Sequence, residues 1–169
     1  KPKAERLYDY ELGYKFFSET FSAGVNFYYM DYKDQLVLTG EQNAIGEMVA
    51  KNVDKSYRRG VELMADWQPF SFLDWSGNAT WSHNRIKNGK FWLDDKQEYY
   101  TAKSTPLTFS PSIIVKSELK GHYKGFAASL QSQYVGDQYM TTTGLRSYND
   151  GTKDVSLMLD HFFVSNLDL

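Results

Sequence analysis

The feature that most constrains the fold is an alternation of side-chain type along six segments of the chain. In each segment, the residues at every second position are mostly apolar or aromatic, and the residues between them are mainly small or polar. This is the period of a β-strand, whose successive side chains point to opposite faces. The first face comprises Arg6, Tyr8, Tyr10, Leu12, Tyr14, Phe16; Phe21, Ala23, Val25, Phe27, Tyr29; Tyr57, Arg59, Val61, Leu63, Ala65, Trp67; Leu73, Trp75, Gly77, Ala79, Trp81; Leu107, Phe109, Pro111, Ile113, Val115, Ser117; and Phe126, Ala128, Leu130, Ser132, Tyr134.

With a final segment added, the pattern predicts seven antiparallel strands and no helix longer than a turn. The strands are expected to start near residues 6, 21, 55, 72, 106, 124 and 157. Short connections near 17–20, 68–71 and 119–123 alternate with long ones at 36–53, 87–104 and 139–156. The sequence therefore predicts an all-β antiparallel meander of long hairpins with one dry and one wet face.

Two local signals refine this prediction. Asn88-Gly89 is typical of a type I′ hairpin turn. Pro111 conflicts with its place in the fifth strand, because proline removes a hydrogen bond from the strand pairing. Either a bulge lies there or the predicted register is wrong.

Three features favour a membrane barrel over a soluble sheet. The apolar runs are long enough for a tilted strand to cross a membrane, aromatic rings crowd the strand ends, and short turns oppose long loops. Aromatic residues make up 17% of the chain. Two alternatives stay open: a soluble β-sandwich or lipocalin-like ligand-binding module, and a small structural outer-membrane protein.

Composition argues against several other functions. Basic and acidic residues, 19 and 21, are interspersed, so nucleic acid is not expected as a partner. The chain has no cysteine, and its three histidines have no metal-ligand spacing, so neither a metal site nor a cofactor is predicted. Asp94-Asp95 are adjacent loop residues and no nucleophile motif is present, so no catalytic residue and no enzymatic activity are predicted.

Short motifs then suggest a family. Tyr10-Glu11-Leu12-Gly13-Tyr14-Lys15, Val25-Asn26-Phe27-Tyr28-Tyr29, Tyr32-Lys33-Asp34-Gln35, Asn52-Val53 and Arg59-Gly60-Val61-Glu62-Leu63 follow one another in order. Their order and spacing resemble the C-terminal barrel region of TonB-dependent outer-membrane receptors. The similarity extends over essentially the whole chain and is most specific up to Asn84.

The resemblance implies that residues 1–169 are one partial domain of a plugged barrel of about 22 strands in the bacterial outer membrane. It also implies active uptake of a bulky scarce nutrient. An iron–siderophore chelate is favoured over a cobalamin or an oligosaccharide as that nutrient. The expected partners are outer-membrane lipid, a plug domain and the TonB system, the last not contacted through this segment. Because the chain ends within a predicted strand, we expect the plug and the final strands to lie outside it.

Candidate site residues fall into two groups. On the wet face, Glu11, Arg58 and Glu62 are candidates for contact with the plug, or are solvated wall charges. In the long connections, Trp92, Tyr99, Tyr100 and Tyr148 are candidates for stacking on a ligand, or they pack the loops together. Arg59 lies on the apolar face, where it pairs with lipid phosphate or extends toward water.

Overall fold

The chain forms twelve β-strands in a computed structural model that describes residues 2–93, 98–149 and 151–169, without the side chains of 39–42, 91–93 and 98–100. In the described residues there is no helix long and apolar enough to cross a membrane. The strands are β1 Arg6–Phe17, β2 Phe21–Gln42, β3 Met48–Phe70, β4 Leu73–Leu93, β5 Glu98–Pro106, β6 Ile113–Tyr123, β7 Phe126–Val135, β8 Gln138–Tyr139, β9 Ser147–Asn149, β10 Asp154–Ser156, β11 Met158–Leu159 and β12 Phe162–Asp168.

Seven of these strands form one antiparallel meander in the order β1-β2-β3-β4-β6-β7-β12, and β5 pairs with the far end of β4. Tight turns close three hairpins at one rim, which we call the short rim. One of these turns is Lys124-Gly125, where both residues have positive φ as a type I′ turn requires. The opposite rim, the long rim, carries the longer connections. The predicted fold class is confirmed.

The strand pairing keeps the predicted faces together across the sheet. Leu12 lies opposite Phe27, Phe27 opposite Val61, and Val61 opposite Trp81. Further along, Leu119 pairs with Leu130, which pairs with Leu167. We call this side the apolar face and the other side the polar face. The pairing brings side chains of one face into adjacent positions on neighbouring strands.

The apolar face is not covered by any other part of the described chain. Leu12 is 73% exposed, Leu63 52% and Trp81 69%. A soluble sandwich or lipocalin-like barrel would bury these side chains against a second sheet or inside a closed barrel. Because the eight-stranded sheet is open and its apolar face is uncovered, both of those alternatives are excluded for the described residues.

The fifth and seventh strands of the meander start later than predicted, at Ile113 and Phe162 instead of near 106 and 157. Leu107, Phe109 and Pro111 lie in a loop rather than in a strand. Pro111 has no N–H for strand pairing, and Phe109 has a φ of 50°, which reverses the extended path. Leu107 is buried with Val37 and Ile86 in a small cluster near the long rim. The predicted start of this strand near residue 106 is therefore wrong, and this error explains the conflict at Pro111.

Two of the predicted long connections, 36–53 and 87–104, consist mostly of paired strand in the described residues. The loop in the first shortens to residues 43–47, because β2 and β3 continue beyond the predicted ends. The predicted turn at Asn88-Gly89 is also wrong: β4 runs on to Leu93, and Gly89 pairs with Ala102. Asn88 does have a φ of 51°, so it tolerates the unusual conformation within the strand instead of closing a turn.

Candidate functional site

The polar face joins two of the predicted wall carboxylates through one amide. Asn26 on β2 donates from Nδ2 to Glu11 Oε2 on β1 at 3.2 Å and to Glu62 Oε2 on β3 at 3.3 Å. Pairing places Asn26 opposite both Gly13 and Glu62, so the amide lies between the carboxylates. One neutral amide group therefore links the carboxylates of the two strands that flank β2.

Arg58 lies on the same face, nearer the long rim, where it is half-buried opposite Met30 and Asn84. Between Arg58 and Glu62, the ring of Tyr28 lies over Gly60. A β-carbon at Gly60 would lie 2.6 Å from the Tyr28 hydroxyl oxygen and 2.3 Å from the Trp81 carbonyl oxygen. The absence of a side chain at Gly60 leaves room for the hydroxyl end of the Tyr28 ring against the strand.

A second polar cluster surrounds Glu118 on β6. Its carboxylate accepts hydrogen bonds from Gln131 Nε2 at 2.9 Å and Ser129 Oγ at 3.3 Å, and Lys120 Nζ lies 2.8 Å from the second oxygen. Asn78 and Lys116 lie nearby along a groove of about 580 Å³ on this side of the sheet. The polar face thus offers charged and amide groups to water or to another polar surface.

The apolar face is bounded by aromatic groups at both rims. At the short rim, Phe70 stacks on Phe72 with centroids 5.3 Å apart, and Phe16 lies 6.3 Å from Phe21. At the long rim, Tyr29 stacks on Tyr57 at 6.2 Å. Tyr57 and Trp67 on β3 are ten residues apart. That spacing corresponds to about 33 Å along a strand and about 25 Å across a membrane at the usual tilt.

The predicted loop aromatics lie in two different hairpins. The backbones of Trp92 and Tyr99 pair with each other near the end of the β4–β5 hairpin, and Tyr100 pairs with Phe91. The side chains of Trp92, Tyr99 and Tyr100 lie outside the described residues, as do Asp94 and Asp95. Tyr148 lies in the β9–β10 hairpin opposite Val155 and is 44% exposed. The role of these four aromatics in ligand binding stays a prediction.

A charged contact fixes the start of β12 at the long rim. His161 donates its backbone N–H to Asp137 Oδ1 at 2.9 Å, its ring Nδ1 lies 3.0 Å from the same oxygen, and Arg146 Nη2 lies 3.8 Å from Oδ2. The hydrogen bonds from the His161 side chain and backbone, with smaller contributions from the charges of His161 and Arg146, lower the pKa of the Asp137 carboxyl below its ordinary value.

Within the part of the chain that the structure describes, no group of three or more His, Asp or Glu side chains could hold a metal ion.

A sheet with one apolar face, aromatic rims about a membrane thickness apart and a polar opposite face is the wall of a transmembrane β-barrel. The comparisons give the particular family. The family model described as TonB dependent receptor-like, beta-barrel, matches residues 2–169, and the chain belongs to this family. Receptors of this family lie in the bacterial outer membrane and are transporters, not enzymes.

Solved structures agree on the fold. The ferric yersiniabactin uptake receptor FyuA from Yersinia pestis is 18% identical with a TM-score of 0.67, covering 96% of this chain and 22% of that one. The FrpB iron transporter from Neisseria meningitidis is 17% identical with a TM-score of 0.63, covering 98% and 24%. The copper transporter OprC is 15% identical with a TM-score of 0.65, covering 99% and 23%.

The chain therefore spans about a quarter of the length of these receptors. A search of the curated proteins finds no match.

Three groupings of polar residues were not predicted from the sequence. Asn26 alternates with Val25 and Phe27 of the first face and therefore belongs to the wet face, but its bridge between Glu11 and Glu62 was not identified. Neither Glu118 nor the pair Asp137 and His161 was singled out. The strand register could have predicted the Asn26 bridge, since hairpin pairing places Asn26 opposite Gly13 on one side and Glu62 on the other. The contact of Asp137 with His161 depends on loop geometry that alternation does not predict.

Proposed function

We propose that the chain is part of the barrel wall of a TonB-dependent receptor that takes up a bulky, scarce nutrient, and that an iron–siderophore chelate is the substrate. Family membership supports the receptor. The names of FyuA and FrpB, an iron-chelate uptake receptor and an iron transporter, favour iron. OprC, a copper transporter of similar fold, is the reason that the metal needs a direct test.

In this proposal the chain has no catalytic residue and contributes a fixed wall. The apolar face contacts lipid, and the polar face contacts a plug domain and the water around it. The Asn26 bridge between Glu11 and Glu62 supports this most directly, because it presents carboxylate and amide groups on the polar face. Arg58 would add a cation nearer the long rim. Trp92, Tyr99, Tyr100 and Tyr148 are proposed to contact the substrate at the long rim.

Uptake would depend on the TonB system, which acts on parts of the receptor outside this chain. The test is uptake by cells that express the full-length protein in a strain lacking its other iron receptors. Cells receive ⁵⁵Fe-enterobactin, ⁵⁵Fe-yersiniabactin or ⁶⁴Cu, with and without a functional TonB. We expect iron uptake only with TonB.

Uptake of copper alone would contradict the iron–siderophore substrate while leaving the receptor intact. Uptake that persists without TonB would contradict the mechanism itself. Variants Trp92→Ala, Tyr99→Ala, Tyr100→Ala and Tyr148→Ala then test the loop aromatics, with the exposed Leu145→Ala as a control in the same rim.

A further inference from the structure

Four basic residues form one continuous row across the first four strands near the long rim. Arg6 pairs with Lys33, Lys33 with Lys55, and Lys55 with Lys87, so each strand contributes one cation to the same level of the sheet. All four side chains are exposed. We call these residues the cationic row. Of the basic residues on this face, only Arg59 was singled out from the sequence.

The cationic row lies on the apolar face. Lys87 Nζ is 5.1 Å from the ring centroid of Tyr57, and Tyr57 stacks on Tyr29 of the same face. The guanidinium carbon of Arg59 lies 5.5 Å from the Tyr57 centroid as well. Aromatic rings of the rim therefore lie directly beneath the cations.

The positive charges of the cationic row have few carboxylates near them on the apolar face. Arg85 and Arg59 lie in the next two rows of the same face, and Asp31 is the one carboxylate on β1–β4 in those three rows. No ion pair joins any member of the cationic row to a carboxylate within the described residues. Like charges at directly opposite positions destabilise a sheet. The row is therefore unfavourable unless an anion lies against it.

The height of the row suits a lipid headgroup. The highest fully apolar row is Leu12, Phe27, Val61 and Trp81, six residues below the cations along each strand. Six residues correspond to about 20 Å along the strand and about 15 Å along the membrane normal. Long connections of such barrels face the outside of the cell, so the row lies at the level of the outer-leaflet headgroups.

We propose that the cationic row binds the phosphate groups of an anionic lipid in the outer leaflet of the outer membrane. Lysine and arginine attract phosphate-bearing lipids at a membrane surface. The occupant is a lipid rather than free phosphate because the row continues into the aromatic rim and the apolar face, along which acyl chains can pack. The bound lipid would offset the repulsion among the four cations.

The test compares two fourfold variants of the full-length protein in neutral detergent. The first carries Arg6→Gln, Lys33→Gln, Lys55→Gln and Lys87→Gln. The control removes four charges away from this surface, with Lys15→Gln, Lys103→Gln, Lys116→Gln and Lys124→Gln. Binding of lipopolysaccharide and of phosphatidylglycerol is measured by native mass spectrometry, with phosphatidylcholine as the neutral lipid and inorganic phosphate as the competitor.

We expect the first variant to bind both anionic lipids about tenfold or more weakly, and the control to change less than about twofold. Phosphatidylcholine binding should stay the same in all proteins. Equal anionic-lipid binding by the first variant and the unaltered protein would overturn the proposal, as would full displacement of the lipid by millimolar inorganic phosphate. Folding is checked by heat-dependent electrophoretic mobility, and the single variant Lys55→Gln, expected to show a smaller loss, serves if the fourfold variant does not assemble.

Discussion

At the scale of single residues, close packing on the polar face depends on small groups in fixed places. Gly60 is the clearest case, because the Tyr28 ring occupies the space where a side chain would begin. The Trp81 carbonyl oxygen on β4 approaches from the neighbouring strand and cannot move without disturbing the pairing of β3 with β4. A substitution here tests whether this contact stabilises the sheet.

We expect Gly60→Ala to destabilise the folded barrel by about 1–3 kcal/mol, since the new methyl group overlaps both Tyr28 and the backbone of β4. The matched control is Gly121→Ala, where the nearest atoms to an added β-carbon are 3.9 Å away. Urea unfolding of the full-length protein in detergent measures both. Equal stability of the two variants would show that the sheet relaxes freely around Gly60.

Asn26 makes a second prediction at this scale. Asn26→Asp should destabilise the barrel at pH 7 by about 1–2 kcal/mol, because it replaces the donor between Glu11 and Glu62 with a third negative charge. Asn78→Asp is the control, since Asn78 lies opposite Lys116, where a carboxylate is favourable. A loss of the same size in both variants would contradict the bridging role.

At the scale of strands, alternation predicted the number, faces and antiparallel order of the main strands but not all of their ends. Period two continues into any extended chain, so it did not distinguish the loop residues Leu107 and Phe109 from strand β6. The polar face could be predicted from the residues alone, whereas the Asn26 bridge needed the register. The contact of Asp137 with His161 joins the two ends of the connection between β7 and β12, where the strands β8 to β11 are only two or three residues long and too short for alternation to predict.

The contact of Asp137 with His161 gives a prediction for the start of β12. The pKa of the Asp137 carboxyl is lower in the folded protein than in the unfolded chain, where it is about 3.9. The ionised carboxylate therefore stabilises the fold above the unfolded pKa, and this stabilisation is lost as the pH falls through the folded pKa. Hydrogen exchange should therefore show that protection of the His161 amide declines as pH falls from about 5 to about 2.

The Gly136 amide is the internal control for this experiment, because it donates to the Ile113 carbonyl oxygen at 2.9 Å and that acceptor does not titrate. Asp137→Ala should abolish the pH dependence at His161 and leave Gly136 unaffected. Parallel loss of protection at both amides would indicate general unfolding in acid instead of loss of this contact.

At the scale of the whole molecule, the assignment of the two faces determines every functional proposal. The apolar face contacts lipid in this assignment, and the polar face lines the interior of the barrel. Leu63 and Met64 are adjacent on β3 and point to opposite faces, with exposed fractions of 52% and 39%. The two positions differ mainly in what lies outside the chain, so they test the assignment directly.

We expect Leu63→Arg to reduce barrel stability by about 2–4 kcal/mol, the cost of arginine on the lipid face near the membrane midplane. Met64→Arg should cost much less, since water or a polar surface can solvate the guanidinium on the polar face. The measurements are the amount of full-length protein assembled in the outer membrane and its urea unfolding in lipid vesicles. If Met64→Arg were the more damaging change, the apolar face would lie inside the barrel, and both the lipid site and the proposed interior wall would be wrong.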